Sequence, residues 1–318
     1  MLHATLLTCV LFAGVPDQQE VLVVVGSPGT EEYGAMFEDW AERWSEAAKQ
    51  AKAAQRLIGI DKADETDRTR LQTALKEIRA ESAEPLWIVL IGHGTFDGKA
   101  AKFNLRGLDV TAVELAEWLL PLDRPVIVAN CASASAPFIN KLSGLNRVIV
   151  SATKNGFQYN FARFGDLLSQ AIIDPQADLD KDEQVSILEA FLSASGRTQE
   201  FYTDEGRLAT EHALIDDNGD GKGTPADWYR GVRTTRVAKE GASPDGLRAN
   251  QLCLVRSKRE ENMPAGVRNK RDEIERSIAL LRLGKKKLPE AQYYTRLEPL
   301  LIELAKLYEA LESQAAEE

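Results

Sequence analysis

Cysteine is nearly absent from this chain: among 318 residues there are three, Cys9, Cys131 and Cys253, and Cys9 falls in the leading apolar stretch. So odd and small a set builds no disulfide framework. Histidine is just as scarce at three, and the His and Cys positions form no cluster with the spacing that zinc requires. Positive charge is outweighed, Lys+Arg 39 against Asp+Glu 49 for a formal net charge of −10, which leaves no basic face for general phosphate contacts and argues against a nucleic-acid binder. No stretch approaches the ~20 uninterrupted apolar residues of a membrane-spanning helix. A Gly-x-Ser-x-Gly elbow is missing as well. The turn Gly26-Ser27-Pro28-Gly29 has neither dinucleotide-loop spacing nor the Lys-Ser/Thr of a phosphate loop.

What is present reads as a folded chain. A hydrophobic fraction of 44% excludes disorder, and the length suits one large domain with an appendage, or two domains. The apolar run over 4–13, followed by Ala13, Gly14 and Pro16, has the length of a signal-peptide core, although Met1-Leu2-His3 lacks the usual Lys or Arg. Residues 1–18 are therefore read as an export signal leading to a periplasmic or secreted protein. Without that signal the chain stays cytoplasmic.

From residue 19 onward, strand and helix alternate. Buried-type strands are predicted at 21–25 (VLVVV), 86–91 (LWIVLI), 125–129 (PVIVA) and 147–151 (RVIVS), with a late one at 252–255. Between them, helices are predicted over 36–57, 69–78 and 111–120, with a short hairpin around 97–107. That alternation predicts an α/β fold, a three-layer α/β/α sandwich on a mostly parallel sheet, occupying 19–255. Its functional crevice is expected beyond the carboxyl ends of the strands. Residues 256–318 change character, with Leu-, Lys- and Glu-rich helices over 271–283 and 290–311 and Pro299 set to kink or restart the second. They read as a C-terminal helical hairpin for packing or self-association.

Two strand ends carry chemistry. LWIVLI runs into Gly92-His93-Gly94, and PVIVA into Asn130-Cys131-Ala132-Ser133. A thiol becomes a useful nucleophile when an imidazole stabilises or accepts its proton. The amides of Gly94 and Cys131 stand where a developing oxyanion needs donors. The competing reading is packing, because a small Cys at a strand end often only fills space.

The pairing of WIVLIGHG with PVIVANC, and the opening VLVVVGSPGTEEYG, resemble the caspase–legumain clan of cysteine peptidases over roughly residues 20 to 255. The resemblance implies a cysteine endopeptidase of the caspase–hemoglobinase fold acting on peptides or proteins through a thioester acyl-enzyme. In it Cys131 is the nucleophile, His93 protonates the leaving amine, and Gly94 with Cys131 forms the oxyanion hole. Ser151, Ala152 and Thr153 then line the primary specificity pocket. The chain departs from the clan at Asn130, before the nucleophile, and at Gly34-Ala35, where legumains place a pocket Arg.

Two acidic loops add a separate feature. Asp178, Asp180, Asp182, Gln184 and Glu189 fall at the oxygen-donor positions of an EF-hand loop, with Glu183 where Gly is usual. Asp216, Asn218 and Asp220 repeat the pattern, with Gly221 at the turn position, Thr224 as a further donor and Asp227 closing the loop. Both predict a structural Ca²⁺, against the alternative of solvated acidic turns. Two rival functions stay open: a catalytically inactive calcium-binding interaction module, and an assembly protein working through its C-terminal helices.

Overall fold

The computed structural model describes residues 17–236 and 243–317, with side chains described as far as residue 311. Nearly all of the expected export signal, with Cys9, thus lies outside the described residues. The first half of the chain lays down β1 (Glu20–Val25), α1 (Glu31–Gln50), β2 (Ala54–Ile58), α2 (Asp67–Glu77), β3 (Leu86–Ile91), β4 (Gly94–Phe96), β5 (Ala101–Phe103), β6 (Val110–Thr111) and α3 (Ala112–Leu119). The second half adds β7 (Val126–Asn130), α4 (Ala136–Leu142), β8 (Arg147–Ser151), α5 (Phe164–Ala171), α6 (Ile187–Asp204), β9 (Leu214–Asp216), β10 (Thr224–Pro225), α7 (Lys258–Glu261), α8 (Ala265–Leu283) and α9 (Glu290–Glu317).

Seven strands form the main sheet in the order β10-β9-β8-β7-β3-β1-β2. β2, β1, β3, β7 and β8 are parallel, and β9 and β10 close one edge antiparallel. The two faces follow from side-chain alternation along each strand. Val21, Val23, Trp87, Val89, Ile127 and Ala129 join one apolar cluster with residues of α1, α5 and α6. Leu22, Val24, Ile88, Leu90, Val126 and Val128 join the other, with residues of α2, α3 and α4. The fold is the three-layer α/β/α sandwich that the alternation implies.

Two local expectations fail. Helix was expected through residue 57, but α1 stops at Gln50; Lys52 turns the chain at φ 53° and β2 then pairs with β1. Residues 51–57 have helix-forming composition, and pairing on an open sheet edge overrides it. The late strand at 252–255 is absent; Cys253 makes a single bridge to Ser186 while Leu254 joins the core.

The C-terminal hairpin is fastened to the body. Glu84, buried just before β3, pairs with Arg256 at 2.5 Å and with Arg268 at 2.8 Å. Arg271 in turn pairs with Glu260 and Asp272. α9 runs through Pro299 as one helix. Among the described residues, no helix is long and apolar enough to cross a membrane.

Candidate functional site

The carboxyl ends of β3 and β7 hold both expected catalytic residues. Leu86 pairs with Val126 and Leu90 with Asn130. Cys131 follows the last paired residue of β7 directly, the chain turns over Ala132 to Ala134, and Ser133 meets Gly94 of the β3 end. Cys131 continues the inward series of Ile127 and Ala129 and is 1% exposed. A side chain at Gly165 would have its Cβ 2.6 Å from that of Cys131 and 2.8 Å from the Trp40 ring, so glycine there lets α5 close over the thiol. Sγ reaches only the Ala129 carbonyl, at 3.8 Å. Burial pushes the thiol up to about 12, so it is protonated near neutral pH.

His93 has other company. Its Nε2 lies 3.1 Å from the Pro28 carbonyl oxygen, which fastens the loop after β1 across the sheet end. Tyr33, Phe37 and Phe161 surround the ring, with Tyr33 at 5.0 Å and Phe37 at 5.3 Å between centroids, both edge to face. No hydrogen bond joins His93 to Cys131 among the described residues.

The expected oxyanion donors are already engaged. The Cys131 N–H continues the sheet ladder, donating to the Leu90 carbonyl at 2.9 Å. The Gly94 N–H donates to Ser133 Oγ at 3.2 Å, and that hydroxyl donates back to the Gly94 carbonyl at 3.2 Å. The expected pocket residues are closed too: Ser151, Ala152 and Thr153 are fully buried. Ser151 donates to the Thr153 carbonyl, while Thr153 Oγ1 accepts from the Ala136 N–H and meets Ser135 Oγ. They brace the turn after β7 against β8.

Residues that the motif reading passed over build the rim instead. Asn130 is buried and its Oδ1 accepts from the Ala132 N–H. Ala134 holds φ 52°, a strained conformation for a non-glycine, and its N–H donates to the Gln158 carbonyl. Gln158 in turn holds His212 at 2.7 Å. Phe157 and Tyr159, from the loop after β8, stand 66% and 73% exposed. His212, held by Gln158, lines with Lys154, Phe164, Leu192, Glu211 and Leu214 among others a cavity of about 690 Å³. The cavity joins segments far apart in sequence and had no local signal.

The acidic loops differ from each other. In the first, Asp178, Asp180 and Asp182 place oxygens within 4.8 Å of one another. The fourth and fifth expected ligands are occupied elsewhere. Glu189 closes the N-terminal capping box of α6 with Ser186 and accepts the Leu179 and Asp180 N–H groups. Gln184 donates to Asp182 and accepts from the Ser257 N–H. Glu183 takes φ 72°, the left-handed turn for which EF-hand loops use Gly. In the second loop Asn218 Oδ1 accepts from the Asp220 N–H, whereas Thr224 donates to Asp245 and Asp227 pairs with Arg236 at 3.0 Å. The closing position of this loop thus carries an exposed ion pair.

No family model matches the chain, and no curated protein matches it. Among solved structures it is similar to the Drosophila initiator caspase Dronc, at 14% identity with a TM-score of 0.44, covering 64% of this chain and 81% of that one. It is also similar to caspase-1 from Spodoptera frugiperda, at 8% identity with a TM-score of 0.42, covering 63% and 86%.

Proposed function

We propose that the chain is an interaction module built on a peptidase-type sheet, which binds an extended segment of another protein at the rim and does not cleave it with Cys131. The observation that carries this reading is the position of the thiol: 1% exposed, sealed by Trp40 and Gly165, and protonated. Binding is supported by the exposed pair Phe157 and Tyr159 and by a mixed apolar and polar cavity, the usual make-up of a ligand site.

Two measurements test it. A thiol-directed, peptide-like probe applied to the native protein should leave Cys131 unmodified, while the denatured chain labels fully. Peptide display should select segments whose binding drops at least tenfold in Phe157→Ser or Tyr159→Ser. Peptide hydrolysis that disappears in Cys131→Ala would reinstate the cysteine peptidase.

Export, and self-association through the apolar residues that α8 and α9 leave exposed, stand as further proposals, for fractionation and sedimentation to decide.

A further inference from the structure

Asp216 ends β9 with 1% exposure, and neither carboxylate oxygen has a partner at full hydrogen-bond geometry, although the Ser143 hydroxyl and the Gly219 N–H lie near enough to favour its charged form. Its neighbours are not in that state. Asp217 accepts the N–H groups of Gly246, Arg248 and Ala249. Asp245 accepts those of Asp217 and Asn218 together with the Thr224 hydroxyl. Three carboxylates are thus buried side by side, and two of them are saturated by donors. A buried carboxylate without donor or counter-charge is costly, and a bound cation removes the cost.

The backbone around Asp216 is already shaped as a cradle. Asn218 Oδ1 accepts from the Asp220 N–H at 2.8 Å, and Asp220 Oδ1 from the Lys222 N–H at 2.8 Å. Gly219 and Gly221 take φ 80° and 72°. The loop is seated on the connection between α4 and β8, where Ser143 Oγ accepts the Gly221 N–H and Asn140 donates to the Gly221 carbonyl.

We infer that the loop from Asp216 to Gly221 binds a hard divalent cation of the calcium class through the side-chain oxygens of Asp216, Asn218 and Asp220. Backbone carbonyls and water complete the shell, because Thr224 and Asp227 are committed elsewhere. Missing its bidentate twelfth ligand, the site belongs in the weak range typical of extracellular modules, about 10⁻⁴ to 10⁻³ M. Occupancy ties the antiparallel edge of the sheet to α4. The first loop carries no such inference: among the described residues, no carboxylate oxygen of Asp178, Asp180, Asp182 or Glu189 is buried without a partner.

The test is calorimetric titration of the full chain with CaCl₂, paired with thermal melts. Ca²⁺ at about a hundredfold over the dissociation constant should raise the melting temperature by about 5 °C. Asp216→Asn should remove one equivalent of binding and that shift, and so should Asp220→Asn, whose exposed side chain leaves folding intact. Asp178→Asn should keep both. Absence of binding in the wild type overturns the inference. So does an equal response to MgCl₂, or a loss of the equivalent in Asp178→Asn with retention in Asp216→Asn and Asp220→Asn.

Discussion

Ser133 and Gly94 show how closely the rim is built. A Cβ added at Gly94 would lie 2.3 Å from the Ser133 carbonyl oxygen, a contact no side chain tolerates without moving the backbone. Gly94→Ala should lose about 1–3 kcal/mol in urea unfolding, and a variant as stable as the wild type would contradict the close approach of the two strand ends. Glu211, which lines the rim cavity, makes a pH prediction. Burial raises its pKa above the ordinary 4.5, against the lowering effect of the Arg163 and Phe164 N–H groups and Tyr202. The folded state therefore favours the neutral acid. Its contribution is complete below pH 4.5 and is lost as pH rises through the raised value. Unfolding midpoints measured from pH 4 upward should show that decline in the wild type and a flatter profile, on a less stable protein, in Glu211→Gln.

At the scale of an element, α6 depends on its start. Ser186 accepts the Glu189 N–H while Glu189 accepts the Ser186 N–H, so two otherwise unpaired helix donors are satisfied. Ser186→Ala should cost about 1 kcal/mol. Because the same carboxylate holds the Leu179 and Asp180 amides, Glu189→Ala should cost more and loosen the loop before the helix, as read by faster amide exchange at those two residues. β2 carries the opposite lesson. Its residues alternate poorly and favour a helix, and only the open edge of β1 makes them a strand.

For the whole molecule, the decisive joint is the buried ion network between sheet and hairpin. Glu84→Ala leaves the buried Arg268 and the half-buried Arg256 without their carboxylate. Removing one partner of such a pair typically costs about 3–5 kcal/mol. The variant should unfold at lower urea and be cut by proteases around residues 256–265 before the sheet is attacked. Equal stability and equal protease resistance would mean that the hairpin is held by its apolar contacts alone.

The composition and periodicity of the chain were enough to determine the layered fold, four of the five parallel strands, and the fact that His93 and Cys131 close two neighbouring ones. Each depends on residues adjacent in sequence, where alternation and apolar runs act directly on the backbone. Tertiary structure alone decided the depth of the thiol, the engagement of both candidate oxyanion amides, the rim cavity and the unpaired carboxylate of Asp216. The physical reason is that burial and pairing at a strand end depend on what packs over it: α5 closes over Cys131 at Gly165, and Gly94 meets Ser133, contacts between segments far apart in the chain.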